Sequence, residues 1–103
     1  MHFAARQGDL VFDNEHHNEV PPGLKLEPLT APLVLAGRDT APHLIEDFAA
    51  LKSVVRGDVR YLEVSREVVC SHQGRHLPVT LQPGTYAVFS LSEFDGDRRD
   101  VED

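Results

Sequence analysis

The segment 68–91 constrains the fold of this chain more than any other part of the sequence. Two turn sequences, Gln73-Gly74 and Pro83-Gly84, separate three runs of apolar and β-branched residues. Within the run 77–81, apolar residues occupy every second position, which is typical of a half-buried strand. Glycine supplies the positive φ that such turns need, and Pro83 presets the φ of its own position for a type II turn. The segment predicts a three-stranded antiparallel meander onto which the rest of the chain packs.

The rest of the chain predicts further short strands and little helix. Gly57-Asp58 separates two β-rich runs and predicts a hairpin. In its second run Arg60, Leu62 and Val64 face one side, and Val59, Tyr61 and Glu63 face the other. Residues 44–50 follow helical spacing, with Thr40 as a cap and Pro42 in the first turn, and predict a helical turn or short helix. The other predicted strands are 10–12 (after a turn at 6–9), a weak edge strand at 24–28, and a buried strand at 33–36.

Taken together, about seven short strands with at most one short helix predict a mostly β fold. Close turn spacing is typical of a small antiparallel β-barrel or sandwich. Residues 1–94 are predicted to form a single β domain, and residues 95–103 an acidic, flexible tail. Whether residues 41–55 form a helix or belong to a hairpin stays open from the sequence.

Charge and cysteine content narrow the function classes. The net charge of −7 opposes nucleic-acid binding, which needs clustered Lys and Arg facing phosphates. We find neither a signal peptide nor a transmembrane segment, so the sequence predicts a cytoplasmic protein with no membrane partner. Cys70 is the single cysteine, which rules out an internal disulfide, and nothing marks its thiol as activated. We expect Cys70 to be an inert, partly buried packing residue.

Histidine carries the main chemical hypothesis. His72 and His76 flank the turn at 73–74, and His43 follows the strand at 33–36. Small β-barrels build metal sites from imidazoles on neighbouring strands, so these three residues, with Glu63 as a fourth ligand, are the candidate site for zinc, iron or manganese. The alternative is that His72 and His76 are exposed on a hairpin. The adjacent pair His16-His17 is predicted to lie in a solvated loop, because consecutive side chains of an extended chain point in opposite directions.

Several motifs resemble a family of small uncharacterised bacterial and phage-associated proteins. They are Arg6-Gln7-Gly8-Asp9-Leu10, the strand Arg60-Tyr61-Leu62-Glu63-Val64, and the run from His76 to Pro83-Gly84-Thr85-Tyr86, followed by Glu93-Phe94. The resemblance implies a cupin-like, jelly-roll-like small β-barrel with a two-plus-two histidine site. In this chain the first histidine motif is reduced to Thr40-Ala41-Pro42-His43, so at least one ligand that the family would supply is missing.

Two functional hypotheses follow. The leading one is a non-catalytic β-barrel accessory or interaction protein of bacterial or phage origin. It would bind a protein partner or self-associate through strand edges or the acidic tail. The alternative is a metal-binding cupin-like protein whose histidine site binds a small ligand or activates water.

Overall fold

The computed structural model describes residues 4–7, 10–14, 19–35, 43–72 and 76–90, and shows a mostly β, antiparallel sandwich. These residues form two sheets, of six and four strands, which pack face to face and do not close into a barrel. A single turn of 3-10 helix spans Phe48–Ala50. The strands are β1 (Ala4–Gln7), β2 (Leu10–Asp13), β3 (Glu27–Pro28), β4 (Leu33–Leu35), β5 (His43–Ile45), β6 (Leu51–Arg56), β7 (Val59–Val64), β8 (Val68–His72), β9 (His76–Leu81) and β10 (Gly84–Ser90).

Strand order shows how the sandwich is assembled. The six-stranded sheet runs β1-β2-β10-β7-β6-β3, and the four-stranded sheet runs β4-β5-β8-β9. Alternate side chains from both sheets fill the space between them, with Phe12, Ile45, Leu62 and Leu81 fully buried. Burying each large apolar side chain contributes about 1.5–3 kcal/mol, so this layer is the main source of stability.

The sequence-based prediction of fold class is confirmed, but more strands are found than the predicted seven or so. The hairpin β6–β7 forms as expected, with Gly57 at φ +62° in its turn. Leu62 and Val64 point into the core, as their alternation predicted. The predicted turn at residues 6–9 is wrong in part, because Arg6 and Gln7 belong to β1, which pairs with β2.

The predicted three-stranded meander is wrong in its last step. Strands β8 and β9 pair as expected, but β10 lies in the other sheet, between β2 and β7. The chain crosses between the sheets at Gln82-Pro83, and Gly84 already belongs to β10, with φ +152°. A period of two reports only that one face of a strand is buried, so the pattern is the same whichever sheet the strand joins.

Two further predictions are corrected by the cross-strand pairing. Residues 43–45, predicted in part as helical, form β5 because they pair with both β4 and β8, and only the 3-10 turn at 48–50 remains helical. Strand β4, predicted as buried, is an edge strand whose Val34 side chain is 59% exposed. The predicted helix cap at Thr40, the turn at 73–74 and the tail at 95–103 lie outside the described residues.

No helix in the described parts of the chain is long and apolar enough to cross a membrane.

Replacement of Gly84 tests the crossing between the sheets. Its φ of +152° is rarely adopted by residues with a Cβ, and an added Cβ would lie 3.3 Å from Nδ2 of Asn14. That Nδ2 donates a 2.6 Å hydrogen bond to the Thr85 carbonyl. We expect Gly84→Ala to lower the free energy of unfolding by about 2–3 kcal/mol, measured by urea denaturation.

The matched control is Gly57→Ala, whose Cβ would meet no atom within 4 Å. It should cost about 1–2 kcal/mol, the cost of a left-handed backbone alone. A smaller loss for Gly84→Ala than for Gly57→Ala would contradict this interpretation of the crossing.

Candidate functional site

The three histidines predicted to form a site occupy neighbouring positions on three adjacent strands. His43 on β5 is the cross-strand partner of His72 on β8, and His72 is the partner of His76 on β9. The strand pairing therefore brings these three backbone positions together. The His76 side chain itself lies outside the described residues, so its contribution stays a prediction.

His43 and His72 stack face to face inside the sandwich. Their ring centroids are 3.8 Å apart and their planes differ by 17°. Both residues are buried, with His43 fully so, and Nε2 of His43 and Nδ1 of His72 are inaccessible to solvent. The alternative expectation of exposed hairpin histidines is therefore wrong for His72.

Gln7 of β1 connects this pair to the other sheet. Its Nε2 donates hydrogen bonds to the carbonyl oxygens of Cys70, at 3.0 Å, and Leu77, at 2.9 Å. Its Oε1 lies 2.8 Å from Nδ1 of His43 and accepts a weaker bond from the Cys70 Sγ at 3.3 Å. Both amide hydrogens and the amide oxygen are thus used, as burial of a polar side chain requires. The four groups Gln7, His43, Cys70 and His72 are called the buried polar cluster below.

The hydrogen bonds of Gln7 also decide which nitrogen of His43 carries a proton. Because Nε2 of Gln7 donates to two carbonyls, the atom that faces His43 is the amide oxygen, which can only accept. Nδ1 of His43 must therefore donate. The same bonds bridge an irregular stretch of the β8–β9 ladder, where the register shifts between Cys70 and His72.

The stacked geometry does not suit a shared metal ion. A metal bound at about 2.0–2.1 Å from a histidine nitrogen lies near the plane of that ring. The lone pairs of two nearly parallel, stacked rings lie in separate planes and do not converge on one point. Among the residues that the structure describes, no group of three or more His, Cys, Asp or Glu side chains is placed to hold a metal.

Glu63, the predicted fourth ligand, lies away from the histidines. It belongs to β7 of the six-stranded sheet and pairs with Lys52 and Thr85. Since its neighbours Leu62 and Val64 point into the core, Glu63 points to the outer face of that sheet. The structure therefore does not bring Glu63 to the buried polar cluster. His16 and His17 lie outside the described residues.

Cys70 is a buried thiol, as the sequence predicted. It is fully buried on β8, and desolvation raises its pKa from an ordinary 9.0 to about 12, despite a backbone hydrogen bond with Leu44 that lowers it. A nucleophilic cysteine needs a lowered pKa and access to substrate. Cys70 has neither, so its role is packing.

A second candidate site lies on the outer face of the four-stranded sheet. A shallow depression of about 430 Å³ has an apolar floor and three carboxylates among its lining residues. The floor comes from Leu44 of β5, whose cross-strand partner is Ser71, and from Val69, two residues before Ser71 on β8; all three point away from the core. The lining residues are Leu44, Glu46, Asp47, Glu67, Val68, Val69 and Ser71. This depression, with the neighbouring Val34, is called the outer acidic face.

Sequence reasoning missed Gln7 and the outer acidic face. Gln7 was assigned to a turn, and its contacts are to residues 36 to 70 positions away in sequence, which no local pattern reports. The outer acidic face joins residues from three strands, and Glu46, Asp47 and Glu67 flank predicted elements without forming a motif. The only sequence signal for it is the alternation that turns Leu44 and Val69 outward once the strand assignment is known.

In comparisons with known proteins, the chain matches no family model, and no curated protein sequence and no solved structure matches it significantly.

Replacement of Gln7 tests the buried polar cluster. Gln7→Leu removes two donors to buried carbonyls and the acceptor of His43 Nδ1. Each buried polar group left without a partner costs about 1–3 kcal/mol, so we expect a loss of at least about 3 kcal/mol in the free energy of unfolding, measured by urea denaturation. Gln82→Leu makes the same change at an amide with an exposed bond to Glu67, and should cost less than about 1 kcal/mol. Equal losses would argue against a structural role for Gln7.

The raised pKa of Cys70 predicts slow thiol chemistry and loss of stability at alkaline pH. In the folded protein a thiol reagent at neutral pH should react with Cys70 only at the rate of unfolding. Because the folded pKa lies above the unfolded one, the stabilisation is complete below pH 9.0 and is lost as the pH rises towards about 12. Cys70→Ala should reduce this alkaline slope, measured by urea denaturation at several pH values. Tyr86, whose pKa burial also raises, keeps part of the slope in the variant. A folded thiol that titrates near 9.0 would contradict the assignment.

Proposed function

We propose that this chain is a non-catalytic interaction protein that binds a basic segment of a partner protein on the outer acidic face. One observation carries the proposal: among the described residues, those that line an apolar depression on a sheet face include three carboxylates and no lysine or arginine, and the nearby Arg66 pairs with only one of the three. A lysine or arginine side chain of a partner matches this arrangement, because its aliphatic stem packs on apolar surface while its cationic head reaches carboxylates.

The apolar part of the face is exposed to a degree that a purely structural role does not require. Val34 is 59% and Val69 50% exposed, and Leu44 lies between β4 and β8, partly buried. Neighbouring aliphatic side chains on an open sheet face mark protein interaction surfaces more often than scattered single ones do. These residues would supply the dry centre of an interface.

The charged part of the face determines the sign of the charge that a partner must carry. Glu46, Asp47 and Glu67 line the depression together with Val69 and supply three carboxylates. Arg66 pairs with Asp47 through two hydrogen bonds of 2.8 and 3.1 Å, both exposed, and so offsets one of the three charges. The remaining negative charge, on a chain of net charge −7, attracts basic partners and speeds their encounter.

The face is held in place before a partner arrives. Leu44 and Val69 belong to strands paired on both sides, and Ser71 Oγ lies 3.4 Å from the Leu44 carbonyl as its hydrogen-bond donor. A surface built on paired strands loses little conformational entropy on binding, which favours affinity.

A different protein is a better partner for this face than a second copy of the chain. A twofold dimer through the outer acidic face would place the same carboxylates opposite one another. Like charges in that arrangement cost free energy. Self-association through strand edges and docking by the tail at 95–103 remain predictions from the sequence. The proposal also keeps the predicted bacterial or phage origin and cytoplasmic location, the latter consistent with a free, buried cysteine.

The non-catalytic part of the proposal rests on the state of the residues that could carry chemistry. Cys70 is a fully buried thiol of raised pKa, and His43 and His72 are enclosed between the sheets. Nδ1 of His43 and the Cys70 thiol are hydrogen-bonded to Gln7, which joins the two sheets. The metal-binding alternative stays a prediction that depends on His76.

Titration with charged peptides tests the outer acidic face. The isotope-labelled chain is titrated with acetyl-Lys-Val-Lys-Val-Lys-amide and with acetyl-Glu-Val-Glu-Val-Glu-amide, and backbone amide shifts are recorded. We expect the lysine peptide alone to shift Leu44, Glu46 and Val69, and this effect to weaken as salt is added. Glu46→Lys combined with Glu67→Lys should weaken binding roughly tenfold, since two reversed surface charges are worth about 1.4 kcal/mol together.

The matched control is Glu19→Lys combined with Glu27→Lys, which makes the same change in net charge at two exposed residues away from this face. It should leave binding within about twofold. Equal weakening by both double variants, or shifts centred elsewhere, would show that net charge rather than this face attracts the peptide.

A further inference from the structure

A second pocket lies between the two sheets, at the end of the sandwich closed by the β6–β7 hairpin. Its volume of about 350 Å³ is at the small end of the ~300–1,000 Å³ range of ligand pockets. Leu10, Leu35 and Val88 come from the buried core and supply part of the apolar lining, while Asp58 and Arg60 belong to its polar part, so the lining is mixed in polarity. The lining residues are Leu10, Val34, Leu35, Val55, Gly57, Asp58, Val59, Arg60, Val88, Phe89 and Ser90.

Arg60 brings a positive charge into this pocket. It lies on the core-facing side of β7, opposite Val55 of β6 and Val88 of β10. Its Nη1 donates a 2.7 Å hydrogen bond to Oγ of Ser53, a neutral group. Among the described residues no carboxylate lies within ion-pair distance of Arg60, although Asp58 lines the same pocket.

Partial burial of the Arg60 guanidinium costs free energy when no anion is bound to it. A guanidinium has five N–H donors in a planar fork, and the bond to Ser53 uses one of them. Partial burial lowers the pKa of Arg60 through desolvation, with no opposing charge to offset it. Charged side chains that leave water are paired as a rule, and a carboxylate fits the arginine fork with two parallel hydrogen bonds.

We propose that this pocket binds a small aliphatic carboxylate, with the carboxylate on Arg60 and the alkyl chain between the sheets. The apolar part of the lining, with Leu10, Leu35 and Val88, suits an alkyl chain, and the polar part holds Arg60 for the carboxylate. A doubly charged phosphate is disfavoured because Asp58 stands in the same lining and would repel it more strongly than a singly charged carboxylate. The site shares Val34 with the outer acidic face, but its charged residues are different, and binding at one does not require the other.

Calorimetric titration of the full chain with octanoate tests this site. Octylammonium, which also has eight carbons and carries the opposite charge, is the matched probe. We expect octanoate to bind and octylammonium not to bind. Arg60→Met, which keeps an unbranched stem and removes the guanidinium, should weaken octanoate binding roughly 10- to 100-fold, the usual effect of losing charge-assisted hydrogen bonds. Asp58→Asn should strengthen it, because a repelling charge is removed.

Two controls keep the test decisive. Arg66→Met removes a charge from an exposed arginine on the other side of the sandwich and should leave octanoate affinity within about twofold. If Arg60→Met fails to fold, the increase in affinity for Asp58→Asn decides, because Asp58 is exposed and its replacement spares the core. Failure of octanoate to bind, equal binding of octylammonium, or unchanged affinity in both pocket variants would overturn the proposal.

Discussion

The two sheets depend on one buried side-chain amide. Gln7 reaches from the six-stranded sheet to two carbonyls and a histidine of the four-stranded sheet, and every polar atom of its side chain is used. Apolar packing between sheets is non-directional, so it permits many relative positions. Hydrogen bonds to fixed partners select one of these positions, because any other position would leave buried polar groups without hydrogen-bond partners. The buried polar cluster thus sets how the sheets lie on each other.

Because the buried polar cluster joins the two sheets, the candidate binding sites are on the surface and at the end of the sandwich near the β6–β7 hairpin. His43 and Cys70, which are reactive residue types, are hydrogen-bonded to Gln7 at the junction of the sheets. Two other features lie elsewhere. One is the outer acidic face around Val69, and the other is Arg60, which lines a pocket and has no acidic partner among the described residues. We propose a ligand for each of them, and the two ligands differ in charge.

Local pattern was enough for the fold class and for the direction of many side chains. Alternation placed Arg60 on the same side as Leu62 and Val64, and the Gly57-Asp58 turn located the hairpin. Pattern was not enough for the partner of each strand. The sequence predicted β10 in the wrong sheet and Gln7 in a turn. Both predictions failed because the true positions depend on contacts between residues far apart in sequence. Strand pairing brings the positions of His43, His72 and His76 together, but the hydrogen bond that holds the His43 ring comes from β1, which the sequence did not reveal.

The tautomer of His43 tests the central claim most directly, because it depends on the orientation of the Gln7 amide. Long-range nitrogen–proton correlation spectra of the isotope-labelled protein, recorded at mildly alkaline pH, distinguish the two neutral forms. The account predicts a proton on Nδ1, with Gln7 Oε1 as its acceptor. A neutral ring protonated on Nε2 would mean that Gln7 does not accept from His43, and would contradict this account of how the sheets are joined.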